Sequence, residues 1–144
     1  MRKTVALVFA ICGTLLLLLL FATGRLIYIN VYHQDFSDIA ETGPQAVITL
    51  TENDVQVQQN GDAQKNAIIE LLSRQTYTAY PHFINPSKNK LTANRLTVTF
   101  ENGNSIGVNT DGYVFVNDKL RAIKGGGGRE LYHDLFVLFY PSAG

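Results

Sequence analysis

The feature that most constrains this chain is a long apolar stretch near its N-terminus. Between Lys3 and Arg25 there is no charged side chain, and residues 15–20 are six consecutive leucines. As a helix, residues 4–23 would rise about 30 Å, which matches the hydrocarbon thickness of a bilayer. We therefore predict that residues 1–24 form a transmembrane signal anchor, with the lipid bilayer as a partner of the chain.

Positive charge lies on the leading side of this stretch. Arg2 and Lys3 precede it, whereas Arg25 is the only Lys or Arg between the stretch and Lys65. Under the positive-inside rule this asymmetry keeps the N-terminus in the cytoplasm and exports the remainder. The sequence thus predicts a single-pass protein of the cell membrane with an extracytoplasmic C-terminal domain.

Two further interpretations of the apolar stretch stay open. The small residues at 22–24 would allow a signal peptidase to cut before Arg25, although the apolar run is longer than the core of most signal peptides. Ala6, Ala10 and Thr14 recur at every fourth position, so they would form one helical stripe of small side chains. Such a stripe allows a second membrane helix to approach closely, but small residues are also common in membrane helices generally.

The composition of the exported part limits its size and its partners. Residues 25–144 are 120 residues, enough for one small domain with a single core. They carry a net charge of about −2, so there is no broad basic field for nucleic acid and no nucleic-acid partner is predicted. The only cysteine is Cys12, so the domain has no disulfide, as in many bacterial envelope proteins.

Residues 25–45 are predicted to form a juxtamembrane stalk. The apolar character continues to His33, with Tyr28 and Tyr32 one helical turn apart, at the headgroup depth that such rings favour. Residues 34–45 are then acidic and polar and include Gly43 and Pro44. We place the domain at 46–140 and a short tail at 141–144.

The pattern within 46–140 predicts an α+β fold. Residues 46–50 and 54–58 favour two paired strands, and residues 63–74 have apolar side chains at helical spacing. After a strand at 76–80, three turn signals, at 102–103, 111–112 and 117–118, separate the strands of a four-strand antiparallel meander. A second amphipathic helix at 129–140 follows, and the two helices are expected to cover one face of the sheet.

This arrangement, with a meander ending in residues 111–120 and a closing helix, resembles small membrane-anchored extracytoplasmic domains of Gram-positive bacterial envelope proteins. The resemblance covers residues 46–139 and rests on the order of strands, turns and helices. It implies an envelope location and no particular chemistry, and it assigns no functional residue.

No pattern in the sequence predicts catalysis. His33, His82 and His133 are far apart and have no second ligand-type residue at metal spacing. The strained Gly-x-Ser-x-Gly turn of many hydrolases is absent, and no pair of carboxylates stands out. We therefore predict no catalytic residue, no metal and no cofactor.

Two segments are candidate binding surfaces. The first surrounds a loop with two prolines, and its candidate residues are Tyr77, Tyr80, His82, Phe83 and Asn85, whose aromatic rings could recognise a peptide or sugar or could instead cover the sheet. The second is a glycine run before the last helix, with candidate anion-binding residues Lys124, Gly126, Gly127, Gly128 and Arg129. The alternative for this second segment is a flexible joint between a strand and a helix.

These observations lead to one preferred function and two alternatives. We expect a non-catalytic, membrane-tethered domain that recognises a partner protein or an envelope ligand through residues 80–85. The first alternative is an accessory subunit of a membrane complex that assembles through the transmembrane helix. The second is a small envelope hydrolase.

Overall fold

The chain forms two compact units, Met1–Tyr32 and His33–Gly144. The computed structural model describes residues 1–40, 48–52, 55–59 and 62–140, and for residues 48–52, 55–59 and 62 it describes the backbone. Residues 41–47, 53–54, 60–61 and 141–144, which include the end of the predicted stalk and the predicted tail, lie outside the described residues.

The first unit is a single helix, α1 (Arg2–Val31), of 30 residues. It is long and apolar enough to cross a membrane, which confirms the helix predicted from the sequence. It also continues beyond residue 24, as the apolar pattern up to His33 predicts, and none of its residues is buried. The rings of Tyr28 and Tyr32 lie 5.1 Å apart at its C-terminal end.

The second unit is built on an antiparallel sheet. In the part of the chain that the structure describes, the sheet has eight strands: β1 (His33–Asp35), β2 (Ile48–Glu52), β3 (Val55–Gln59), β4 (Thr76–Ala79), β5 (Arg95–Thr99), β6 (Ser105–Asn109), β7 (Val114–Val116) and β8 (Lys119–Ile123). Their order across the sheet is β1-β4-β8-β7-β6-β5-β2-β3. The predicted meander is therefore confirmed as β5 to β8, and the predicted hairpin as β2 with β3.

The meander turns use the backbone conformations that their residue types favour. Gly103 and Gly112 have φ of 80° and 84°, and Asn117 and Asp118 have φ of 50° and 60°. In the 117–118 turn both central residues have positive φ, which is typical of the two-residue turn that matches the twist of hairpin strands. These turns set the register in which Val98 lies opposite Ile106 and Ile106 opposite Val116.

Helices α3 (Asp62–Ser73) and α5 (Gly128–Phe139) confirm the two predicted amphipathic helices. Two short helices, α2 (Phe36–Ile39) and α4 (Lys88–Leu91), were not predicted. The core combines alternate residues of the strands with the inner stripes of α3 and α5, and its most buried members are Ile68, Leu72, Tyr77, Leu96, Val98, Ile106, Val108 and Leu135. The fold class is thus the predicted α+β arrangement.

The folded unit begins earlier than the predicted boundary at residue 46. Residues 33–40, which the sequence pattern assigned to the stalk, form β1 and α2, and Phe36, Ile39 and Ala40 are buried in the core. The Phe36 ring packs edge-on against Phe100, with centroids 5.5 Å apart. The predicted boundary was too late because the residues around Phe36 and Ile39 are polar. Two apolar side chains three positions apart can nevertheless fill a gap in the core.

Ile39 provides a test of this boundary. Replacing a fully buried Ile by Ala is expected to lower the free energy of unfolding by about 2–5 kcal/mol, because it leaves a cavity. We expect Ile39→Ala to show this loss in urea unfolding of the detergent-solubilised full chain. Ser37→Ala, at an exposed position of the same helix, is the matched control and should stay within about 0.5 kcal/mol of the parent. Equal stabilities for the two variants would contradict a core role for residues 33–40.

Candidate functional site

The loop of residues 80–86 leaves the sheet at the end of β4. Successive side chains of a strand point to opposite faces, so Tyr77 faces the core while Thr76, Thr78 and Tyr80 face the other side. Prolines at positions 81 and 86 exclude regular structure between them. All residues from 81 to 85 are exposed.

Aromatic contacts brace the start of this loop. The Tyr80 ring meets the His82 ring edge-on at 5.3 Å and lies 6.3 Å from the Tyr113 ring. Partial burial, and then the neighbouring Tyr113, raise the pKa of the Tyr80 phenol above its ordinary value. Tyr80 and His82 therefore form the base of the loop, in contact with the residue that leads into β7.

The tip of the loop is apolar and exposed. The side chains of Phe83 and Ile84 are 54% and 84% exposed, and of the described residues in the second unit only Val137, at 37%, is another exposed large apolar side chain. Asn85 is exposed beside them. Ile84 was not among the predicted residues, although it lies between the predicted residues Phe83 and Asn85. The two prolines were the available signal, since they keep every residue between them out of helices and strands.

Asn109 fixes α4, which follows the 80–86 loop in the connection from β4 to β5. Its side chain is fully buried, and its amide nitrogen donates to the Lys90 carbonyl at 2.8 Å. Its side-chain oxygen accepts from the backbone N–H groups of Asp111 and Tyr113, at 3.1 and 2.9 Å. Because one buried amide bonds both α4 and the β6–β7 turn, the segment after the loop is fixed to the sheet.

Tyr77 is not part of an accessible binding surface, which corrects the prediction for this residue. Its side chain is 0% exposed, and its hydroxyl donates to the Leu72 carbonyl of α3 at 3.1 Å. Burial raises the pKa of the Tyr77 phenol above its ordinary value. The period-two alternation of β4 explains the outcome, since it places Tyr77 and Tyr80 on opposite faces.

The predicted anion-binding segment forms the connection from β8 to α5. Gly125, Gly126 and Gly127 all have φ near 90°, and the Gly126 N–H donates to the Ile123 carbonyl. Glu130 lies in the first turn of α5, so a carboxylate already faces the positive end of the helix dipole. Lys124 and Arg129 are exposed on either side. Anion binding here stays a prediction, and the acidic first turn disfavours it.

Gly128 has a packing role that its place in the glycine run did not reveal. A Cβ atom at this position would lie 2.0 Å from the carbonyl oxygen of Gly112. A Cβ at Gly112 would in turn lie 2.8 Å from the Arg129 backbone nitrogen. The start of α5 and the β6–β7 turn therefore meet backbone to backbone, at a distance that only glycine allows.

A groove lies between α3 and α5, and it was not predicted from the sequence. It has a volume of about 440 Å³, and its apolar lining is Ala67, Leu71, Val137 and Leu138. Its polar lining is Glu70, Arg74, His133 and Asp134, of which Glu70 and Arg74 form an ion pair. Gln64 donates to the Leu138 carbonyl along the same seam. The groove depends on two helices that are distant in sequence, so neither helix alone predicts it.

The three histidines lie on three different elements of the folded unit. His33 is in β1, His82 in the 80–86 loop and His133 in α5. Among the residues that the structure describes, no three His, Cys, Asp or Glu side chains are grouped to hold a metal ion. The Ala6, Ala10 and Thr14 positions belong to one continuous helix, in which the Thr14 hydroxyl donates to the Ala10 carbonyl. Assembly through that stripe stays a prediction.

The buried hydroxyl of Tyr77 gives a pH-dependent prediction. Because its folded-state pKa is raised, the stability it contributes is complete below the unfolded pKa of about 10 and is lost as the pH rises above it. We expect Tyr77→Phe to cost about 1 kcal/mol at neutral pH, since the Leu72 carbonyl loses its donor, and to reduce the alkaline loss of stability. The measurement is the free energy of unfolding at neutral and alkaline pH.

The matched control is Thr78→Val, which removes a half-buried, non-titrating hydroxyl of the same strand, one that donates to the Ala122 carbonyl. This variant should keep the alkaline loss of the parent chain. An unchanged alkaline loss in Tyr77→Phe would mean that Tyr77 is not the group responsible.

Comparison with known proteins finds no match: no protein-family model, no curated protein and no solved structure is significantly similar to the chain. A functional proposal for this protein accordingly rests on its own residues.

Proposed function

We propose that this protein is a single-pass membrane protein whose non-catalytic C-terminal domain lies outside the cytoplasm and recognises a partner protein or an envelope ligand through the 80–86 loop. The observation that carries the proposal is the pair Phe83 and Ile84, exposed together at the tip of a braced loop. A helix long and apolar enough to cross a membrane supports the anchor.

Charge around α1 supports the direction of insertion. Arg2 and Lys3 stand at its start, and Arg25 is the only Lys or Arg between the apolar stretch and Lys65. Basic side chains near a transmembrane segment are retained on the cytoplasmic side. The folded unit from His33 onward would then lie on the far side of the membrane.

The physical properties of the loop favour binding over a role in packing. Exposing two adjacent large apolar side chains is unfavourable in water, and each gains free energy when a partner covers it. The prolines at 81 and 86 restrict the loop, so it loses less conformational entropy when it binds. Contacts of Tyr80 with His82 and Tyr113 hold its base in place.

Cysteine labelling tests the direction of insertion. In a Cys12→Ser background, which removes the only native cysteine, Asp111→Cys places one thiol at an exposed position of the folded unit. We expect a membrane-impermeant maleimide to label this thiol equally in intact spheroplasts and after lysis. Labelling that requires lysis would place the domain in the cytoplasm and would refute the proposed location.

Photocrosslinking in intact membranes tests the loop as the contact surface. We expect Phe83→benzoylphenylalanine to form an adduct with a partner or an envelope ligand, identified by mass spectrometry, because the Phe83 side chain is exposed at the tip. Val137→benzoylphenylalanine, at the other exposed apolar position, is the control and probes the α3–α5 groove. Adducts from position 137 with none from position 83 would assign recognition to the groove and refute the role of the loop.

A further inference from the structure

The tip of the 80–86 loop has the chemistry of a segment that enters a lipid surface. Phe83 and Ile84 are adjacent, exposed and bracketed by prolines, so they project without a regular element to cover them. Transfer of one such side chain from water to hydrocarbon favours the inserted state by about tenfold or more. An aromatic ring next to an aliphatic side chain suits the boundary between headgroups and acyl chains.

The segment around the tip is basic and contains no carboxylate. From residue 71 to residue 100 there is no Asp or Glu, while Lys88 and Lys90 follow the tip within a few positions. Both lysines are exposed, and within the described part of the chain neither forms an ion pair. Arg74 and Arg95, the other basic residues of the segment, are paired with Glu70 and Asp118. Two lysines that follow the apolar tip closely in sequence are therefore available to bind anionic groups.

The tether of the folded unit is at the same end of the sheet as the start of the loop. In the antiparallel pairing of β1 with β4, His33 lies opposite Thr78, two residues before Tyr80. Paired Cα atoms are about 5 Å apart, and Ile84, six residues beyond Thr78, is at most about 20 Å from it along the chain. His33, through which the unit joins α1, is therefore at most about 25 Å from the apolar tip.

The length of α1 brings this tether to the membrane surface. Its 30 residues rise about 45 Å, which equals the thickness of a bilayer including its headgroups. His33 follows two residues after the end of α1, so a spanning α1 delivers it at headgroup level. A tethered group meets its surface at a high effective concentration, so even weak insertion is populated.

We propose that the lipid surface of the bilayer that carries α1 is the ligand of the 80–86 loop: Phe83 and Ile84 insert among the acyl chains near the headgroups, while Lys88 and Lys90 bind lipid phosphates. This inference rests on the proposed function, since it names the ligand of the same loop. Insertion gives the domain a second attachment to the bilayer besides α1.

Depth-dependent fluorescence of the reconstituted full chain tests this proposal. In the Cys12→Ser background, Asn85→Cys carries an environment-sensitive fluorophore next to an intact Phe83 and Ile84. The control is Asn66→Cys, at an exposed position of α3, the helix that packs on the Tyr77 face of the sheet. The vesicles are phosphatidylcholine, with or without phosphatidylglycerol, and contain a lipid-borne quencher. We expect a blue shift and strong quenching at position 85 and neither at position 66.

Substitutions at the tip and at the lysines separate the two parts of the interaction. Phe83→Ser with Ile84→Ser should abolish the quenching at position 85 in both kinds of vesicle. Lys88→Gln with Lys90→Gln should weaken the preference for phosphatidylglycerol by about fivefold per lysine at low salt, because each basic side chain near an anionic surface contributes about that factor. Lys65→Gln, at a lysine of α3 outside both candidate binding segments, is the control and should leave this preference unchanged.

The outcomes distinguish this inference from the proposed function. Quenching at position 85 that depends on Phe83 and Ile84 supports it. Absence of quenching, together with a protein adduct from position 83 in the crosslinking experiment, overturns the lipid inference and leaves the proposed function in place. Absence of both quenching and adducts overturns both.

Discussion

The antiparallel pairing of β1 with β4 is the constraint on which the rest of the folded unit depends. β1 has three residues, but it begins two positions after the end of α1 and leads into α2, whose Phe36 and Ile39 are buried in the core. The same ladder positions β4, which sends Tyr77 into the core and continues into the 80–86 loop. One short ladder therefore determines where the unit is tethered, where its core closes and where its exposed apolar tip begins.

Asparagine side chains connect this N-terminal segment to the meander. The Ile39 carbonyl at the end of α2 accepts hydrogen bonds from the side-chain amides of Asn102 and Asn104, at 3.0 and 2.8 Å. Asn117 donates to Asn104 and accepts from the Ser105 backbone N–H. Asparagines that favour turn conformations thus also form hydrogen bonds with a backbone carbonyl of a distant segment. Turn propensity alone does not predict this second role.

Local periodicity was sufficient to predict most of the fold. The apolar helix, the α3 and α5 stripes and the turns of the meander are short-range patterns, and the structure confirms each of them. The start of the domain could not be predicted in this way, because Phe36 and Ile39 stand among polar and acidic residues. Their burial depends on Phe100 and the meander turns, which are more than sixty positions away.

The sequence also predicted part of the candidate site. Prolines at 81 and 86 correctly indicated an exposed irregular loop, and Tyr80, His82, Phe83 and Asn85 belong to it. Tyr77 was misplaced because residue type alone does not show which face of a strand a side chain takes. The α3–α5 groove, and the placement of the start of the loop at the end of the sheet where β1 begins, are products of tertiary pairing and have no local signature.

The backbone contact between Gly112 and Gly128 has a consequence for how this domain can vary. Most helices of a small domain pack through side chains. Such contacts can adjust to a change in side-chain volume, so the helix can shift. Here the first turn of α5 packs directly against the backbone at Gly112, so that end of the helix acts as a fixed pivot. Changes in the volume of Leu131, Leu135 or Phe139 must be absorbed by rotation about that pivot, and the displacement grows toward the C-terminal end of the helix, where Val137 and Leu138 line the groove.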